Sequence, residues 1–151
     1  MRGLNSDERQ RDVRVKVDEC SCSIVCLQET KMDFFYHRTL RKFLPKRFDN
    51  FAYSPSIGAS GGILVAWCSS FFHGTLLEVQ RFSVVINFTS VHNGDSWNLV
   101  SVYGSCRGEE RDCFVKWLFN VQILPDSLWM LIGDFNFIRS PENRNRPGGC
   151  K

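Results

Sequence analysis

Leu128-Trp129-Met130-Leu131-Ile132-Gly133-Asp134-Phe135-Asn136 is an unbroken apolar run that stops at a glycine and releases two polar side chains. Such a run reads as a buried strand over 128–133, with Asp134, Phe135 and Asn136 delivered at its end. Upstream, Phe114, Trp117, Leu118 and Val121 recur at helical spacing after Gly108, which predicts an amphipathic helix laid with its apolar face on a sheet. Phe82, Val84, Ile86 and Phe88 alternate with more polar neighbours, and Asn93-Gly94-Asp95 precedes the run from Trp97 to Tyr103. That is the pattern of an antiparallel hairpin.

Nearer the amino terminus, Phe48–Tyr53 and Gly62–Trp67 read as two strands, linked through Ser54-Pro55 and the turn Gly58-Ala59-Ser60-Gly61-Gly62. Ile24 to Gln28 is a further buried strand that ends in Gln28, Glu29 and Thr30. Ser6 followed by Asp7 and Glu8 starts a helix, because a hydroxyl cap and first-turn acids satisfy the free amides and the dipole; it should run to about Glu19. A second helix is expected over 34–43. The order of helix, strand, helix, several antiparallel strands, helix and strand predicts an α/β (α+β) fold, a four-layer sandwich of mainly antiparallel sheets flanked by helices. Its polar groups collect where strands end: Glu29, Tyr103, Asp134 and Asn136. Chemistry commonly gathers at such ends.

Composition sets the outer bounds. A chain of 151 residues with 43% hydrophobic content can bury one core, so residues 1–151 are expected to form a single domain. The net charge of +3 suits a polyanionic partner without demanding one. No apolar run approaches the roughly 20 residues of a membrane helix, and the charged opening is unlike a secretory signal, so the expectation is an intracellular protein of nucleus or cytoplasm, with no membrane partner. Seven cysteines, an odd number at irregular spacing, argue for free thiols over a disulfide framework. Cys20, Cys22 and Cys26 lack the paired knuckles of a structural zinc site, and Cys26 falls inside an apolar strand. His37, His73 and His92 read as surface or rim residues.

Four tetrapeptides carry a resemblance. Leu27-Gln28-Glu29-Thr30, Ser60-Gly61-Gly62-Ile63, Val102-Tyr103-Gly104 and Gly133-Asp134-Phe135-Asn136 stand at strand ends or starts, and in this order the chain resembles the endonuclease/exonuclease/phosphatase superfamily. More narrowly, Arg2-Gly3-Leu4-Asn5 and Ile138-Arg139-Ser140-Pro141-Glu142 are similar to the endonuclease domain of plant non-LTR (LINE-type) retrotransposons. The resemblance implies a magnesium-dependent phosphodiesterase, with manganese as a substitute ion, no small-molecule cofactor, and DNA as the ancestral partner. It assigns Glu29 to the metal, Asp134 to orienting or deprotonating the attacking water, Asn136 to the phosphate, and Tyr103 to a phosphate oxygen. These roles suit the chemistry, which needs charge stabilisation on the phosphate and an activated water.

Each residue taken alone has a plainer reading. Glu29 reads as a solvated strand-end carboxylate, Tyr103 as a sandwich residue with its hydroxyl at the rim, and Asp134 with Asn136 as an Asx turn. Departures from the family pattern also matter. The family's metal-side asparagine would precede Met1, Ser105 and Cys106 follow Gly104 where proline and asparagine are usual, and the closing aspartate-histidine pair would lie beyond Lys151. The expectation is therefore a domain truncated at both ends, with weak or lost metal binding and little or no activity, because catalytic groups that act as a unit fail together. A phosphatase of the same superfamily acting on phospholipid or inositol phosphates, and a non-enzymatic remnant, stand as the alternatives. The sequence is silent on oligomeric state.

Overall fold

The structure, a computed structural model, describes residues 3–57, 60–105, 108–123 and 125–137. Expectations that rest on 1–2, 58–59, 106–107, 124 and 138–151 lie outside it, including the flank Ile138–Glu142 and the residue Cys106. Helix α1 (Asp7–Glu19) starts as its sequence requires, with Ser6 Oγ accepting from the Arg9 amide at 3.4 Å. Strand β1 (Ile24–Gln28) follows. It joins β2 (Asn50–Ile57) and β3 (Ser60–Trp67) in an antiparallel sheet of order β1-β3-β2. The second sheet, of order β4-β5-β6-β7, contains β4 (Phe72–Val79), β5 (Ser83–Ser90), β6 (Ser96–Tyr103) and β7 (Trp129–Asp134). Only its β6-β7 pair is parallel, and the helix α3 (Gly108–Asn120) makes the crossover that a parallel pair needs.

Alternation along the central strands sorts their side chains into three interlayer cores. Leu64 and Ala66 of β3 face α1 with Val17, Val25 and Phe43, whereas Ile63, Val65 and Trp67 face the other sheet. From that sheet Val84, Ile86, Phe88 and Leu99 complete the middle core, while Val85, Val100 and Val102 turn outward to Phe114 of α3. The layers run α1, first sheet, second sheet, α3, the expected α/β sandwich. Strands buried on both faces explain why Ile63–Trp67 and Leu99–Val102 read as nearly continuous apolar runs.

Three local expectations are corrected. The helix expected over 34–43 is only the single turn α2 (His37–Leu40). Ser56 holds the preceding segment extended: its amide donates to Met32 O at 3.0 Å and its hydroxyl to Asp33 Oδ1 at 2.6 Å, and Tyr36 offers no side-chain cap. β2 passes straight through Pro55, where a turn was expected. It lies at the edge of its sheet, so the missing N–H breaks no ladder, and Ser54 and Ser56 still pair with Ile63 and Gly61. β4 was not anticipated. As the other sheet's edge it leaves Leu76, Leu77 and Val79 exposed, so it lacks the inward-facing apolar alternation that marks a strand. No helix among the described residues is long and apolar enough to cross a membrane.

Ser101 is wholly buried between the sheets. Gln28 Nε2 donates to its hydroxyl at 3.1 Å, and burial pushes the neighbouring Cys26 thiol up to about 12, a rise that a hydrogen bond with Ser101 partly offsets. Gly74 of β4 is fixed by space rather than by dihedral angle. A Cβ there would lie 2.6 Å from Trp67 Cε2 and 3.0 Å from Phe88 Cε1.

Gly74→Ala should therefore lower stability by about 1–3 kcal/mol, although the same exchange in an uncrowded site gains about 0.4–1 kcal/mol; urea denaturation of the two proteins reads the sign. Iodoacetamide near neutral pH should modify the exposed Cys20 and Cys113 and spare Cys26, because only the thiolate reacts and the Cys26 thiol stays protonated until pH approaches about 12. Peptide mass spectrometry with and without denaturant separates the classes.

Candidate functional site

β1 ends at Gln28 and the chain turns sharply. Glu29 and Lys31 both take left-handed backbone angles, φ 56° and 55°. The turn is held from both sides: the Thr30 amide donates to Gly62 O at 3.1 Å, the Lys31 amide to Gly61 O at 3.1 Å, and the Leu4 amide to Thr30 O at 2.8 Å. Three separated sequence motifs, around Leu4, Glu29 and Gly61-Gly62, thus form one backbone knot. It raises Glu29 at the rim of the first sheet with its side chain 28% exposed, and Lys31 Nζ stands 3.5 Å from Glu29 Oε1.

The second sheet supplies the opposite wall. Parallel pairing sets Tyr103 beside Asp134 at the ends of β6 and β7. Gly133, at φ 146°, lies so close to β6 that a Cβ would fall 1.9 Å from Val102 O, which excludes every other residue there. The Gly104 amide then donates to Asp134 O at 2.7 Å, extending the contact one residue past the ladder. Beyond Asp134 the chain is not extended. Asn136 is left-handed at φ 51°, its amide donates to Asp134 Oδ1 at 2.9 Å, and its Nδ2 donates to Gly104 O at 2.6 Å. The Asx turn given by the plainer reading of Asp134 and Asn136 is present, and it pins one carboxylate oxygen.

Glu29, Tyr103 and Asp134 line one cleft of about 120 Å3 together with Cys26, Leu27 and Gln28. Asn136 is anchored alongside through Gly104. The cleft thus gathers three of the four residues expected from the sequence. Sequence reasoning missed Lys31, Gln28 and Ser101. Lys31 follows the Glu29 motif directly, and its charge was the available signal. Gln28 was read as the end of a strand and a member of the Glu29 motif without a role of its own, and its bond to Ser101 depends on the packing of the two sheets. Among the described residues no group of three or more His, Cys, Asp or Glu side chains is placed to hold a metal ion. The cleft nevertheless offers hard carboxylate oxygens of the kind magnesium takes, and that ion needs only one or two of them.

No protein-family model and no curated protein matches the sequence. Solved structures do match. The human Nocturnin catalytic domain with bound sulfate anion is 14% identical, with 89% of this chain and 59% of that chain covered and a TM-score of 0.65. The Xenopus laevis APE2 catalytic domain is 16% identical, over 97% of this chain and 60% of that one, with a TM-score of 0.55. AP endonuclease LMAP from Leishmania major is 13% identical, over 69% and 38%, with a TM-score of 0.52. The chain spans at most 60% of the length of these three. Two facing sheets with helices outside, matched at this level to those structures, give the chain the endonuclease/exonuclease/phosphatase-like fold.

Proposed function

We propose that residues 1–151 are one partial domain of a divalent-metal-dependent phosphodiesterase, derived from the endonuclease of a plant LINE-type retrotransposon and acting ancestrally by nicking DNA in the nucleus or cytoplasm. The observation that supports this reading is the convergence of Glu29, Tyr103 and Asp134, at the ends of three different strands, on one cleft. One similar structure is an AP endonuclease and another holds a sulfate anion, which suits chemistry on a phosphate group.

In this reading Glu29 holds magnesium or manganese. Such an ion, when bound, supplies Lewis-acid polarisation of a phosphate oxygen. Asp134 orients the attacking water; Oδ1 is held by the Asn136 amide, so Oδ2 is the oxygen that receives the proton. Tyr103 donates its hydroxyl to a phosphate oxygen. Asn136 Nδ2 spends one of its two N–H groups on Gly104 O and keeps the other for a phosphate oxygen. Lys31 competes with a cation for Glu29, which favours weak metal binding and low activity.

Magnesium should accordingly bind weakly by calorimetry, Glu29→Ala should abolish what remains, and Lys31→Ala should tighten it; tight binding indifferent to Glu29 would reject the metal assignment. The isolated chain should not nick supercoiled plasmid above background with magnesium or manganese. A chimaera in which the remaining strands of a similar solved domain are joined to this chain should nick, and Asp134→Asn should cost it at least about 100-fold. Nicking by the chain alone that depends on Asp134 would overturn the low activity and keep the phosphodiesterase. A folded but silent chimaera would favour the non-enzymatic remnant, and phosphate release from inositol phosphates without nicking would favour the phosphatase.

A further inference from the structure

Between Glu29 of the cleft and α2 runs a short segment, Phe34-Phe35-Tyr36, that belongs to neither sheet. It is tied down on both sides. Met32 O accepts the Ser56 amide at 3.0 Å, and Tyr36 O accepts the Thr39 and Leu40 amides at 2.9 and 3.0 Å. Its middle residue, Phe35, is 3% exposed and meets Phe43 and Tyr53 edge-on, at 6.3 and 5.2 Å between ring centroids. With Phe35 turned in, its neighbours turn out: Phe34 is 65% and Tyr36 66% exposed, and neither ring meets another ring among the described residues. Single exposed apolar residues are common, but two aromatic rings held out together on an anchored backbone mark an interaction surface.

Spacing and charge give the chemistry of the partner. Residues two apart in extended chain stand about 6.6–6.8 Å apart, twice the roughly 3.4 Å rise of stacked bases, so one flat ring fits between their side chains. From Glu29 to Lys42 four basic residues, Lys31, Arg38, Arg41 and Lys42, stand against two acidic ones, Glu29 and Asp33. Both acids are engaged, Glu29 by Lys31 at 3.5 Å and Asp33 by the Ser56 hydroxyl at 2.6 Å. Arg41 donates to Pro45 O and Phe48 O. Arg38 and Lys42 are exposed, lie four residues apart on one side of the turn, and form no salt bridge among the described residues. Phe34 follows Lys31 by three residues, at most about 11 Å of chain, which is about three stacked nucleotides. We propose that Phe34 and Tyr36 clasp one unpaired base of a single-stranded nucleic acid, with Arg38 and Lys42 on its phosphates, a subsite that rests on the phosphodiesterase reading and leads the strand to that cleft.

Fluorescence anisotropy of the 151-residue chain in EDTA reads binding without cleavage, with labelled octathymidylate and an abasic octamer of the same charge as the probes. The octathymidylate should bind at least about tenfold more tightly than the abasic strand. Phe34→Ala and Tyr36→Ala should each weaken it by about 5- to 100-fold, the contribution of one stacked base, and leave the abasic strand unchanged. Both side chains are exposed, so these variants should keep the parent melting temperature. Phe34→Leu should lose as much affinity, because leucine keeps apolar bulk and has no ring face. Arg38→Ala should weaken both strands alike and flatten their salt dependence. Equal binding of the two strands, octathymidylate affinity indifferent to Phe34→Ala, or full affinity in Phe34→Leu would each overturn the subsite. So would sedimentation showing a dimer of the free chain that Phe34→Ala dissolves, because the rings then serve a second copy. A chimaera that nicks plasmid while strand binding ignores Phe34 removes the subsite alone, and stacking retained in a folded but silent chimaera removes the phosphodiesterase alone.

Discussion

Face-to-face packing of β3 against β5 and β6 is the constraint on which the site depends. The strands that carry Glu29, Tyr103 and Asp134 belong to different sheets, and no backbone ladder joins the two sheets. What brings their ends together is the middle core, in which Phe88 meets Trp67 at 5.4 Å and Trp97 at 5.2 Å between ring centroids. Aromatic packing of this kind fixes separation and angle but is tolerant of sliding along the strands. The Gln28 to Ser101 hydrogen bond supplies the missing register. It is made beside the cleft, one residue before Glu29 and two before Tyr103, so any slip between the sheets would break it before it blurred the site.

Within each sheet the site's precision comes from backbone contacts. Gly133 presses on Val102 and Gly104 donates to Asp134, so the Tyr103–Asp134 pair is held by main chain on both sides. The Glu29 turn is held by Leu4, Gly61 and Gly62. This is why the informative tetrapeptides are rich in glycine: at Gly62 and Gly133 the backbone angles and the lack of room leave no place for a side chain. A reader of sequence sees the motifs as four unrelated strings, whereas the fold ties them into two knots.

The legibility of the chain follows burial. β1, β3, β5 and β6 have apolar residues that face a core, and their sequences show it. α1 announces its start at Ser6. β4 was invisible because an edge strand with Leu76 and Leu77 in solvent has no inward periodicity, and α2 was overestimated although Phe35, Leu40 and Phe43 are all buried in the α1-side core, because only His37–Leu40 of that stretch is helical. In the site, the strand-end residues that meet in the cleft were legible, and their geometry only in part. Glu29, Tyr103 and Asp134 stood out at strand ends and an Asx turn at Asp134 and Asn136 was one of the readings, but the bond from Asn136 to Gly104 O and the Lys31 ammonium beside Glu29 depend on packing and on left-handed backbone angles that local pattern does not encode.

Charge in the cleft gives the proposed chemistry its direction. Two carboxylates, Glu29 and Asp134, face one lining cavity, and Lys31 answers only one of them, which leaves an excess of one negative charge where an anionic phosphate must approach. In a partly desolvated site such an excess repels the substrate more strongly than it would in bulk water. Under the proposed function a divalent cation reverses that sign, while Lys31 can at best neutralise Glu29. An ammonium so close to the carboxylate keeps the empty cleft electrically tolerable, and it is also the group that an incoming cation must displace. The same ion pair therefore stabilises the resting cleft and weakens its affinity for the ion it would need.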